Sequence, residues 1–176
     1  MSHPSPPHSE LAQVREDFIS QWGAMGGAWG INRTMAQIHA LLLVTEEPLS
    51  TDDVMDRLQI SRGNAHGNLR ELVSWGLLRS VMIRGERKEY FEAEKDIWTI
   101  FCIIARERKR REIDPAGAVL ADCTRRAKAI DSPDAAILAG RMKKLSELLS
   151  MLSGALEKVS TSGSSSMLPL LMKLLK

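Results

Sequence analysis

Apolar residues fall at helical spacing through most of the chain. Leu11, Val14, Phe18, Trp22, Met25 and Trp29 recur at intervals of three and four, which predicts a helix capped by Ser9 with that face buried. Gly23, Gly26, Gly27 and Gly30 are expected to fray or bend its far end, because each glycine costs about 1 kcal/mol relative to alanine inside a helix. A second helix starts near Asn32, turns Met35, Ile38, Leu41 and Leu42 inward, and stops before Pro48, which disfavours helical geometry in the residue ahead of it. Ser50, Thr51, Asp52 and Asp53 supply a cap and two acids for a helix of about two turns carrying Val54 and Leu58. Gln59 and Ile60 turn the chain. Ser61 then caps a longer helix to about Ser74, closed by Gly76 in the place favoured for a left-handed residue.

The period then changes. Leu77 to Ile83 and Lys88 to Glu92 are rich in β-branched and aromatic residues around the turn Arg84-Gly85-Glu86, which predicts a β-hairpin. Helical spacing returns at Asp96, with Ile97, Ile100, Phe101 and Ile104 inward. Asp114-Pro115 is expected to restart a helix to about Ile130, and Ser132-Pro133 another. In the last, Leu138, Leu145, Leu152 and Val159 repeat every seven residues, with Met142, Leu149 and Leu156 four residues after each of the first three, as in a heptad seam. Helix, short helix, turn, capped helix and hairpin is the order of a winged helix-turn-helix. The expected fold is therefore mainly α with a small β-hairpin wing, flanked by N- and C-terminal helices, which resemblance to a known family makes dimerisation helices. The corresponding division is a disordered leader over 1–9, an N-terminal helix over 10–30 (by that resemblance a dimerisation helix), the winged helix-turn-helix over 31–95, a helical region over 96–160 (by that resemblance for dimerisation), and a linker with an apolar tail over 161–176.

Composition narrows the function. The chain has 176 residues, 44% hydrophobic and 26% charged, which suits one compact domain with appendages. It has no apolar run of the roughly 18 residues that a membrane span needs, and its start lacks the basic and apolar regions of a secretory signal. Cys102 and Cys123 have no metal-ligand spacing, so no metal, no cofactor and a reducing, cytoplasmic setting are expected. Charge is uneven: residues 57 to 88 hold seven basic residues against Glu71 and Glu86, a net +5, while the other 17 basic and 20 acidic residues sum to −3. A local basic patch on a near-neutral chain is the electrostatic footprint of a nucleic-acid binder.

The helix from Ser61 lies in that patch. Rotated at 100° per residue, Ala65, Leu69, Leu72 and Val73 form its core face, and Gly63, Gly67 and Ser74 lie opposite, flanked by Asn64, Arg70 and Glu71. Two glycines on an exposed helix face cost about 2 kcal/mol together. Their absent side chains let a helix sit deeper in a DNA major groove. Asn64 and Asn68 suit an adenine edge, Arg62 or Arg70 a guanine or a phosphate, and Ser61 with the first amides of the helix a phosphate. His66 faces either DNA or solvent. Arg84, Arg87 and Lys88 at the hairpin would meet the backbone or the adjoining minor groove.

Residues Ile60 to Leu77, ISRGNAHGNLRELVSWGL, with the preceding PLSTDDVMDRLQ, resemble the GbsR-like branch of the MarR superfamily. The resemblance spans roughly residues 20 to 112. It implies homodimeric winged-helix transcription regulators paired through their terminal helices, with Ser61, Arg62, Gly63, Asn64, Asn68 and Arg70 as the DNA-reading set. Some members of that branch repress choline or glycine betaine genes, so a small-molecule effector held by an aromatic cage of Trp22, Trp29, Tyr90, Trp98 and Phe101 is one expectation. Core or dimer-interface packing is the other reading of Trp22 and Trp98. The function expected overall is a sequence-specific, homodimeric repressor binding double-stranded DNA. The alternative is a winged-helix protein-interaction module. No nucleophile elbow, phosphate loop or metal-ligand pattern marks an enzyme. The run Arg106 to Arg111 either flanks the DNA or solvates a helix with Glu107 and Glu112 as partners.

Overall fold

The computed structural model describes residues 7–28 and 30–161. The leader residues 1–6, Trp29 and the apolar tail from residue 162 lie outside the described residues. The described residues divide into two compact units, which part between Asp96 and Ile97. Among the described residues no helix is long and apolar enough to cross a membrane.

The first unit contains α1 (Pro7–Ala28), α2 (Arg33–Leu43), β1 (Leu49–Ser50), α3 (Thr51–Leu58), α4 (Arg62–Trp75), β2 (Leu78–Met82) and β3 (Glu89–Ala93). The first helix begins at Pro7, earlier than a cap at Ser9 would place it, and its inward stripe differs from the expected one. Leu11, Val14 and Met25 are exposed, Phe18 and Trp22 half-buried, and the buried positions are Ile19, Gly23 and Gly26. Gly23 and Gly26 do not fray the helix; they let α2 approach. A Cβ on Gly26 would stand 2.5 Å from Ala36 Cβ, and one on Gly23 would stand 2.4 Å from Gln37 Cγ.

Local signals set the next boundaries. Asn32 Oδ1 accepts from the amides of Thr34 and Met35 at the start of α2. Ser50 and Asp53 form a reciprocal capping box on α3. At the end of α4, Gly76 has φ +86, its amide donates to Val73, and Leu77 donates back to Leu72, the paired bonds of a Schellman stop. Gln59 takes the same left-handed conformation, φ 53, between α3 and α4, although it is not a glycine. Phe91, Met35, Ile38, Leu42, Leu69, Leu72 and Val54 are fully buried and form the core joining α2, α3, α4 and the sheet. The expected hairpin is present and gains a strand: β3 lies between β1 and β2, both antiparallel to it, with Leu49 opposite Phe91 and Leu78 opposite Ala93.

The second unit contains α5 (Ile97–Arg108), α6 (Asp114–Lys128) and α7 (Pro133–Thr161). No break precedes Pro115. A π-helical turn, Lys109–Ile113, joins α5 to α6, with helical torsions at Arg108, Ile113 and Asp114 and the Asp114 amide bonded to the Lys109 carbonyl. Proline removes a helical hydrogen bond and crowds the preceding turn, and a widened turn accommodates both without ending the helix. On α5 the buried residues are Ile100, Cys102, Ile103, Ala105 and Glu107, whereas Ile97 and Phe101 are exposed, contrary to the inward stripe expected. The run Arg106 to Arg111 is threaded by carboxylates: Arg110 pairs with Glu107, Arg108 with Glu112, and Lys109 with Asp114 and Glu157. The Lys109–Glu157 pair sets the end of α7 beside the start of α6, so these helices run antiparallel.

Candidate nucleic-acid interface

The outer face of α4 is built by the alternation of its inner one. Ala65, Leu69 and Leu72 are anchored in the core, so Gly63, Gly67, Arg70 and Ser74 face outward. A Cβ added to Gly63 or Gly67 meets nothing within 4 Å. Neither glycine is needed for packing, in contrast to Gly23 and Gly26. Ser61 caps the helix, its Oγ accepting from the Asn64 amide at 3.3 Å, and Arg62, Asn64 and His66 are exposed beside the glycines.

Asn68 departs from the expected set. It is only 7% exposed, and its Nδ2 donates to the Asn64 carbonyl at 2.8 Å and to Asn64 Oδ1 at 2.6 Å. Its residue type points to base reading, but its position turns it inward. It acts as a brace, its donor engaging the Asn64 side-chain oxygen and so leaving the Asn64 Nδ2 out of that contact.

The wing supplies Arg84, Arg87 and Lys88, all exposed, around Gly85 at φ +92. One carboxylate that sequence reasoning missed ties this wing to α4. Asp52 in the first turn of α3 accepts from Arg62 at 2.5 Å and from Lys88 at 2.9 Å. These contacts hold the Asp52 carboxyl below its ordinary range, the Lys88 hydrogen bond contributing most and Arg62 next, and they raise Lys88. Glu89 acts similarly, accepting from Ser80 Oγ at 2.7 Å and standing 3.4 Å from Arg70. Residues 10 and 36 positions from Asp52 carry no local signal of this pairing; the packing of α3 on α4 brings Arg62 to it, and the pairing of β1 with β3 brings Lys88.

The aromatic residues proposed for a cage are divided between the units. In the first, the Trp22 ring lies 5.5 Å from that of Phe18, tilted by 33°, and 6.5 Å from His39, and Tyr90 lies half-buried on β3. In the second, Trp98 lies 5.5 Å from Phe101. Trp29 is outside the described residues. No group of three or more His, Cys, Asp or Glu able to hold a metal occurs among the described residues.

A helix-turn-helix with a glycine-bared second helix and a basic three-stranded wing defines the class as a winged helix. Residues 29–88 match the model of the MarR family. The HTH-type transcriptional repressor GbsR of Bacillus subtilis (strain 168) is 23% identical over 109 residues, covering 62% of this chain and 60% of the repressor. The chain thus spans about three-fifths of that relative's length. A crystal structure of a transcriptional regulator superposes with a TM-score of 0.61 at 20% identity, over 84% of this chain and 95% of that one, a likeness of fold.

Proposed function

We propose that this protein is a sequence-specific DNA-binding transcription regulator, acting as a homodimeric repressor in the cytoplasm. It places α4 in the major groove and the Arg84–Lys88 wing on the backbone or in the minor groove. The observation that carries the reading is the bare strip of Gly63 and Gly67, which meets no protein atom and is bordered by Arg62, Asn64 and Arg70. A helix that needed no close partner there would gain stability from alanine. The repressor GbsR supports the sign of regulation. The exposed Leu138, Leu145 and Leu152 of α7 support a paired state, in which recognition helices lie about 34 to 36 Å apart on a pseudo-palindrome.

Binding of the purified protein to duplexes it selects from a random pool, against scrambled duplexes at near-physiological salt, tests this reading. A preference of roughly a thousandfold is expected. Arg62→Ala should cost about 1 to 3 kcal/mol on the selected duplex and little on scrambled DNA, whereas Arg87→Ala should weaken both alike. Equal losses from the two changes would overturn the assigned roles. Binding to neither duplex at low salt would favour the protein-interaction module instead.

A further inference from the structure

The two ends of the basic surface, the start of α4 and the base of the wing, meet at one acid. Arg62 and Lys88 both donate to Asp52, each through a different carboxylate oxygen. The side chains of Arg62 and Lys88 are 67% and 57% exposed, and that of Asp52 is 36% exposed. A pair so open to water adds little to folding. The fold does not require Asp52 for its cap either, because Ser50 and Asp53 form the capping box without it. Its chemical effect falls on the two cations. A carboxylate accepting two charge-assisted hydrogen bonds occupies the donors that a DNA phosphate would use, and it carries the same charge as that phosphate.

We infer that Asp52 is an internal competitor of DNA phosphate, holding Arg62 and Lys88 so that only a duplex offering base contacts as well as phosphates displaces it. The inference rests on the DNA-binding reading above and gives that surface a device for discrimination. Random DNA attracts the protein through counterion release alone, one increment per cation engaged. With Asp52 in place, two of the cations are half-neutralised, and that attraction is reduced. An operator repays the broken pair through the base edges that Arg62 and Asn64 reach, so Asp52 widens the gap between operator and random sequence. Arg84 and Arg87, which form no ion pair among the described residues, remain the unrestrained anchors of the first encounter.

The test compares the full-length protein with Asp52→Asn and with Asp56→Asn. The latter removes the same charge from an exposed position on the same helix, whereas the ion pairs of Arg62 and Lys88 are made with Asp52. Asp52→Ser is a second variant, and a thermal melt of each verifies the fold. Affinity for a random-sequence duplex is measured between about 50 and 200 mM salt, and affinity for the selected duplex alongside it. Asp52→Asn is expected to bind random DNA roughly tenfold more tightly, with a salt slope steeper by about 0.9 for each cation released, and to discriminate less. Asp56→Asn should change affinity by less than about twofold. Equal effects of the two variants would reduce Asp52 to net charge and overturn the proposal. Weaker binding of both Asp52 variants to every duplex would make Asp52 a brace and overturn it as well. If neither the unaltered protein nor the variants bound any duplex at low salt, the DNA-binding reading itself would fall and this inference with it.

Discussion

His39 is 3% exposed in α2, facing Trp22, and its Nε2 has no hydrogen-bond partner among the described residues. Burial, and secondarily the charge of Lys95, push its pKa from 6.5 down to about 4. Lys95 is itself fixed, its Nζ donating to the carbonyls of Leu42, Leu43 and Thr45 at the end of α2, where a cation meets the negative end of the helix. Between pH 6.5 and about 4 the unfolded chain binds a proton at His39 that the folded chain refuses. The stabilisation is therefore complete above pH 6.5 and lost as pH falls toward 4. Between pH 7 and pH 5 the unfolding free energy should drop by about 2 kcal/mol through this residue. Urea titrations at the two pH values check this: His39→Gln should show a correspondingly smaller drop, and parallel behaviour of the two proteins would exclude His39 as the cause.

At the scale of elements, glycines of one composition have two opposite meanings. Gly26 is at a contact, where the nearest atom to an added methyl is the Cβ of buried Ala36, which has no flexible end to give way. Gly26→Ala should force α1 and α2 apart and cost about 1 to 3 kcal/mol, measured by thermal melting. Gly67→Ala, with open space around it, should raise stability by up to about 1 kcal/mol while weakening DNA binding. A neutral effect on DNA would remove Gly67 from the interface. Hydrophobic spacing could not separate these cases. It located α2, α3, α4 and the wing because caps, a breaker and a turn mark their ends. On α1 it selected the bulky stripe Leu11, Val14 and Met25, although backbone approach at Gly23 and Gly26 decides which face is covered. The two-residue strand β1 was too short to alternate, Gln59 has no glycine to announce its left-handed turn, and the widened turn before Pro115 leaves no mark beyond the proline itself. Of the candidate interface, the outward direction of the α4 residues and the exposure of the wing were legible from the period. The inward Asn68 and the acid Asp52 were not, because polarity alone does not report burial or a partner distant in sequence.

The heptad of α7 bears on the molecule as a whole. Within its unit, the covered column runs through Ala135, Ala139, Met142, Ser146, Leu149, Ser153 and Leu156, so small residues alternate with large ones where α7 packs against α6 and the preceding segment. The leucine column beside it, Leu138, Leu145 and Leu152, is 49%, 47% and 44% exposed, with Leu148 and Met151 also open. A single chain thus satisfies half of its heptad and leaves the other half apolar and uncovered. Self-association of this column would be isologous, each copy presenting the same leucines. Burying a leucine fully is worth roughly 1.5 to 3 kcal/mol, so Leu145→Glu with Leu152→Glu, doubled by symmetry, should cost a dimer several kcal/mol while leaving each chain folded. Light scattering should give about twice 19.6 kDa for the unaltered protein and 19.6 kDa for the double variant, with helical content retained. The double variant should also lose affinity for a palindromic duplex more than for a single half-site, since only the paired chain engages both halves. A monomeric mass for the unaltered protein at micromolar concentration would overturn the dimer, and a variant that stayed dimeric would move the interface away from α7.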